Sequence, residues 1–248
     1  MLRLLYFMSL MSAILGYGPV FAQDANVQPR FEVYTGVSAA ETGGSGYTSV
    51  VWSPRGSVRE QGWRLRSGAD YGVVRDRHIY GDERVTVKKK SQKTVADVGL
   101  GYQGDLRFLW LKLYGGGVFR DETIRLDGHT TNLGSTQFGA YIAVESWWRL
   151  GHGFWSSVDL KWTTLDNGIS VFSRLGYSAA QTEHMPGLGA GLEASVHADD
   201  IDALSQKGGV FVQGVWGFHE VTLSGGLSQT DQSDDWKPYA SVSYGRKF

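Results

Sequence analysis

The sequence predicts an all-β protein: a transmembrane, antiparallel, up-and-down β-barrel of about twelve strands. Three observations carry that reading. The chain ends in an alternating strand closed by an aromatic residue, Tyr239 to Phe248. It opens with a secretory leader. Its 248 residues hold 34 Gly, 5 Pro and 13% aromatics, a composition that suits curved strands rather than disorder.

At the N-terminus, Arg3 precedes a short apolar run, Leu4 to Leu15, and Val20-Phe21-Ala22 offers a small-residue cleavage site. Residues 1–22 therefore read as a signal peptide, and 23–29 as a short segment before a barrel spanning 30–248. The leader holds one charge, Arg3, so its removal takes the formal charge from −1 to −2. No basic field invites nucleic acid. With no cysteine, neither a disulfide framework nor a thiolate metal site is possible, and no cofactor motif is present.

Period-2 alternation places strands near 30–39, 45–53, 61–74, 94–103, 105–120, 134–149, 153–164, 168–179, 186–197, 207–217, 219–229 and 237–248. The clearest is 138–150. Phe138, Ala140, Ile142, Val144, Trp148 and Leu150 share one face; Gln137, Gly139, Tyr141, Glu145, Trp147 and Arg149 share the other. The next strand repeats this, with Phe154, Val158, Leu160 and Trp162 against Trp155, Ser157, Asp159 and Lys161. On the last strand Phe248, Arg246, Tyr244 and Val242 face lipid, so Arg246 sits where an apolar residue is usual and snorkels at the rim. An even strand count puts both termini on one side, which would be the periplasm.

Connector lengths support the same topology. Short turns at Gln103-Gly104-Asp105, Gly151 and Phe218-His219 fall on the terminus side. Long polar connections at 75–93, 121–133, 198–206 and 230–236 are expected on the opposite side as loops. Two connections blur the rule: 54–60 is long for a terminus-side turn, and Asp166-Asn167-Gly168 is short for an outer one. The run Lys88-Lys89-Lys90 falls in the first long loop, as a solvated tip or as a contact for anionic sugars and phosphates of the outer leaflet.

The polar face carries both chemistry and filling. By alternation it holds the charges Glu32, Arg64, Arg66, Asp70, Asp97, Lys112, Glu145, Arg149, Asp159, Lys161, Arg174 and Glu193. It also holds the aromatics Tyr34, Trp110, Tyr114, Tyr141, Trp147, Trp155 and Phe172. Buried charges must pair, so these form either a salt-bridge network filling the lumen or a polar channel that selects a solute. The aromatics are either structural or a surface for sugar C–H faces. Trp148, Trp162, Trp216 and Tyr177 fit lipid-facing girdles.

An outer-membrane lipid hydrolase would need a nucleophilic Ser with a His. There is no His-x-Ser-Asn-Gly run. Ser195 and His197 share a face, but no third member is visible. No His/Asp spacing suits a metal; Asp199-Asp200-Ile201-Asp202 is a solvated acidic loop or a weak Ca²⁺ contact. No catalytic residue is expected.

Several motifs resemble a known family. Phe31-Glu32-Val33-Tyr34-Thr35-Gly36, Gly46-Tyr47, Val51, Gly62-Trp63-Arg64-Leu65-Arg66 and Gly99-Leu100-Gly101-Tyr102-Gln103 carry the likeness. So do Tyr114-Gly115-Gly116-Gly117, Phe138-Gly139-Ala140, Glu145-Ser146-Trp147-Trp148 and Tyr244-Gly245-Arg246. Over most of 30–248 the chain resembles the cellulose biosynthesis protein BcsS family. The resemblance implies an outer-membrane role in secretion or surface organisation of a β-1,4-glucan, with cellulose or other cellulose-secretion components as partners. Two classes therefore compete: a non-enzymatic, monomeric barrel among outer-membrane lipids that assists cellulose, and a monomeric porin for charged oligosaccharides using Arg64, Arg66, Arg149 and Arg174. An open arginine track favours the porin, and a lumen closed by paired charges favours the former.

Overall fold

The computed structural model describes residues 28–41, 43–80, 85–126, 132–179, 187–200, 203–230 and 233–248. The expected signal peptide lies outside them. The described residues form twelve strands: β1 (Phe31–Ala40), β2 (Gly43–Trp52), β3 (Gly62–Tyr80), β4 (Val85–Asp105), β5 (Leu109–Leu126), β6 (Asn132–Gly151), β7 (Phe154–Thr163), β8 (Ile169–Ser178), β9 (Gly187–Asp199), β10 (Ala203–Trp216), β11 (His219–Thr230) and β12 (Ser233–Lys247).

Each strand pairs antiparallel with its sequence neighbours, and β1 pairs with β12, so the sheet closes and no edge is left along the seam. The terminal Phe248 completes that seam. Its carbonyl accepts the Phe31 N–H at 3.1 Å, and its own N–H donates to the Phe31 carbonyl at 2.8 Å. All twelve sequence-derived strands are present, and the start of β1 and the end of β12 lie at one end of the barrel.

The outward face is apolar. Phe138 is 79% exposed, Val98 62% and Leu192 60%, values that would be costly in water and are natural against lipid. Aromatic pairs bound this band at both ends. On the terminus side, Phe31 stacks on Trp52, Trp63 meets Tyr102 edge-on, and Phe154 meets Tyr177. Towards the other end, Phe119 packs on Phe138. Arg246 does point outward, with its guanidinium over the Phe248 ring.

Glycine explains how such large aromatics fit inside. A Cβ on Gly99 would stand 2.3 Å from the Tyr141 hydroxyl, and one on Gly245 would stand 2.4 Å from the Tyr34 ring. Gly101 likewise makes room for Tyr114, Gly176 for Trp155, Gly36 for Tyr47 and Gly209 for Tyr239. Each of these inward rings lies over an inward glycine on another strand, so much of the glycine content is a packing requirement of the filled lumen.

The loop lengths depart from expectation. Residues 75–93 are not a long loop: β3 and β4 stay paired from Gly62–Gln103 out to Tyr80–Val85. The expected loops at 121–133, 198–206 and 230–236 are likewise mostly strand, because β5, β6, β9, β10, β11 and β12 extend through them. The physical reason is that outside lipid both faces of a hairpin meet water. Polar residues there no longer mark a loop, and a stretch containing Val85, Thr86, Val87 and Thr94 and no proline can continue an existing ladder. The connection 53–61 at the terminus end is long, as its sequence indicated. The Asp166–Asn167 turn forms a short 3₁₀ element, Leu165–Asn167, with Asp166 and Asn167 at φ 51° and 46°.

Candidate functional site

Alternation sends one set of side chains into the barrel, and register decides which of them meet. All twelve lumen candidates named from the sequence lie inside the barrel or at its terminus-side mouth: Tyr34, Arg64, Arg66, Trp110, Tyr114, Tyr141, Glu145, Trp147, Arg149, Trp155, Lys161 and Arg174. They divide into three groups with different surroundings.

The first group is a chain of ions across the barrel. Arg66 on β3 binds Glu145 on β6 at 2.5 Å; Lys112 on β5 reaches Glu145 at 3.4 Å and Glu32 on β1 at 3.7 Å. Glu32 also meets Lys247 on β12 at 3.1 Å and accepts from the Tyr34 hydroxyl at 3.3 Å. A second knot centres on Glu193 on β9. It accepts from Arg174 Nε and Nη2 at 3.1 and 3.0 Å, from Ser224 at 3.0 Å and from Tyr239 at 2.9 Å. Lys161 on β7 binds Asp97 on β4 at 2.7 Å. Arg66–Glu145, Lys112–Glu32, Lys161–Asp97 and the bonds of Ser224 and Tyr239 to Glu193 join strands that are not neighbours in the sheet, so they brace the wall from within. Tyr114 and Tyr141 complete the filling, as ring partners for Arg66 and Lys161.

Arg64 belongs to neither a channel nor this network. Its side chain is fully buried and donates to Ser53 Oγ at 3.1 Å and to the carbonyls of Ser57 (3.1 Å), Trp63 (2.8 Å) and Glu60. It thus folds segment 53–61 onto the barrel end, where Arg59 lies over the Phe218 ring of the β10–β11 turn at 4.9 Å. At the opposite end, Leu165 packs on Tyr114, Val118, Tyr141 and Ala143, while Asp166 pairs with Arg120.

The third group is an aromatic ledge at the terminus-side ends of β5, β6, β7 and β10. Trp147 and Trp155 stack with ring centres 4.2 Å apart at 14°, and Trp155 packs on Phe211 at 5.6 Å. Trp155 is held from behind: it is 4% exposed and its Nε1 donates to Ser178 Oγ at 2.8 Å. Trp147 is the open member, 38% exposed. Beside it the Arg149 guanidinium lies over the Trp110 ring at 5.7 Å. Trp147, Trp110 and Arg149 line a cavity of about 830 Å³ together with Tyr34, Lys207 and Glu220. A second cavity of about 370 Å³ adjoins it, sharing Glu145, Asp159, Phe172, Ser195 and Lys207. Volumes of this size suit a bound small molecule or oligomer segment.

The remaining candidates are placed as follows. His197 and Ser195 do share the lumen face, but the imidazole meets Asp199 at 3.3 Å on its own strand and no triad is assembled among the described residues. No group of three or more His, Asp or Glu among the described residues has metal-holding geometry; Asp202 lies outside them. Sequence reasoning missed Phe211, Tyr239 and Lys207. Phe211 and Tyr239 were legible from alternation alone, since Tyr239 continues the inward series Lys247, Gly245, Ser243, Ser241.

Comparison with solved structures gives the fold. The barrel is similar to the transport unit of the autotransporter AIDA-I from Escherichia coli: TM-score 0.55, 10% identity, 98% of this chain and 97% of that one covered. It is similar to LpxR from Salmonella typhimurium, at TM-score 0.53 and 6% identity, covering 88% of this chain and 100% of the other. The β domain of the Bordetella autotransporter BrkA gives 0.51 and 15%, covering 90% and 100%. No curated protein matches the sequence. The family model for cellulose biosynthesis protein BcsS matches residues 32–248, nearly the whole barrel, and the chain belongs to that family.

Proposed function

We propose that this protein is a non-enzymatic barrel of the outer membrane, with both termini in the periplasm and residues 1–22 removed as a signal peptide. In this reading it serves cellulose biosynthesis by holding a segment of β-1,4-glucan at its periplasmic mouth, so aiding secretion or surface organisation of the polymer. The observation that carries the reading is the Trp147–Trp155 stack, with Trp147 open to the larger cavity and Arg149 beside it. A β-1,4-glucan presents flat C–H faces, which lie on an aromatic ring, and equatorial hydroxyls, which need charged or polar partners at the ring's edge.

The arginines argue against a porin for charged oligosaccharides. Arg66 and Arg174 are bound to glutamates and Arg64 to backbone carbonyls, so no row of free guanidinium groups runs along the lumen. The twin aromatic belts and apolar outer wall support the membrane placement.

Titrating the detergent-solubilised barrel with cellohexaose, read by tryptophan fluorescence, tests this. Saturable quenching is expected, with a far weaker response to oligogalacturonate of equal length. A stronger response to the acidic oligomer would favour the porin, and no response to either would remove support for sugar binding.

A further inference from the structure

The lysine run lies in β4, and alternation splits it: Lys88 and Lys90 share one parity and Lys89 the other. The charges of the β3–β5 extension are then sorted by face. On the parity that continues the lumen, base meets acid. Lys93 is the cross-strand partner of Glu122, and Lys89 that of Asp76. On the parity that continues the lipid face, marked by Val98 and Leu113, base meets base. Lys90 is partnered by Arg75 on β3 and by Arg125 on β5, and Lys88 by Arg77.

Like charges directly opposite one another weaken a strand pair. Here the register sets them in a row across three strands, and among the described residues no side-chain ion pair or hydrogen bond engages Lys90 or Arg125. Among the described residues one acid shares the face, Asp121, but it lies nearer the membrane and accepts from Thr136 Oγ1 at 3.1 Å. The row's height is informative. On β5, Arg125 lies six residues (125 − 119) beyond Phe119 of the aromatic belt. At about 3.3 Å per residue on a strand tilted about 40°, the Arg125 backbone stands roughly 15 Å above that belt, and a long basic side chain bends back from there towards the headgroup layer below.

We propose that the outward face of the β3–β5 extension binds the phosphate groups of a phosphorylated glycolipid in the outer leaflet. Phosphates supply the charge that the cation row lacks and accept hydrogen bonds from both Lys and Arg. The proposal rests on the outer-membrane placement above, but not on glucan binding, and it is read without any sugar polymer present.

The test uses the full barrel in detergent, titrated with diphosphorylated lipid A and with the same lipid after dephosphorylation. Diphosphorylated lipid should bind at least tenfold more tightly, and added salt should erode that difference. The double variant Lys90→Gln/Arg125→Gln should lose about tenfold for the phosphorylated lipid only. Lys93→Gln, on the opposite face of the same hairpin, should lose nothing; heat-modifiability on gels checks that each variant is folded. Equal affinity for both lipids, or an unchanged double variant, would overturn the proposal. Displacement of the lipid by millimolar inorganic phosphate would overturn the choice of a lipid ligand.

Discussion

Glu193→Ala is expected to destabilise the barrel by about 3 kcal/mol, towards the lower end of the range for breaking a buried ion pair. Glu193 is 8% exposed, and its carboxylate accepts four hydrogen bonds from three strands. Its removal strands the Arg174 guanidinium between the Phe172 and Phe211 rings and leaves the Ser224 and Tyr239 hydroxyls without their acceptor. The lower end applies because the Arg174 side chain is 20% exposed, so cavity water can solvate part of the orphaned charge. The denaturation midpoint in detergent measures the loss. Glu193→Gln keeps the acceptor and should cost about half as much. Glu220→Ala, a lumen carboxylate at the mouth, should stay within about 0.5 kcal/mol of the parent. If Glu193→Ala proves as mild as Glu220→Ala, the internal network does not brace the wall.

Trp147→Ala should weaken cellohexaose binding by at least tenfold, the loss of about 2 kcal/mol expected when a central aromatic anchor is truncated. The same change should leave the unfolding midpoint nearly unmoved, because Trp147 is the exposed half of the stack. Trp155→Ala serves as the contrast. It is buried behind Trp147 against Phe211 and Ser178, so its loss should cost about 3–5 kcal/mol of stability as well as binding. Trp148→Ala, one residue along and facing lipid, should leave binding intact. A Trp147→Ala barrel that binds cellohexaose like the parent would show that the ledge is structural.

Strand number and strand facing were legible because they rest on period-2 alternation, which is local. Trp147 in and Trp148 out can be read from neighbours alone. The partners of the inward charges were not legible. Arg66 meets Glu145 and Lys161 meets Asp97 only because register offsets accumulate over three intervening pairs of strands, and nothing local encodes that sum. Arg64 shows the same limit. Its spacing from Arg66 marks it as inward, yet its role is set by segment 53–61 folding back over it. The long hairpins were missed for a different reason. Polarity marks a loop only where one face of a strand must be apolar, and that condition ends at the edge of the lipid.

The placement of glucan on the Trp147 ledge is the central claim, and a structure of the barrel with bound cellohexaose tests it most directly. The expected result is a glucosyl ring stacked on the Trp147 indole at the terminus-side mouth, with a hydroxyl near Arg149 and the Arg66–Glu145 and Lys161–Asp97 pairs still closed. Sugar bound only at the outer hairpins, with the Trp147 face free, would contradict the account.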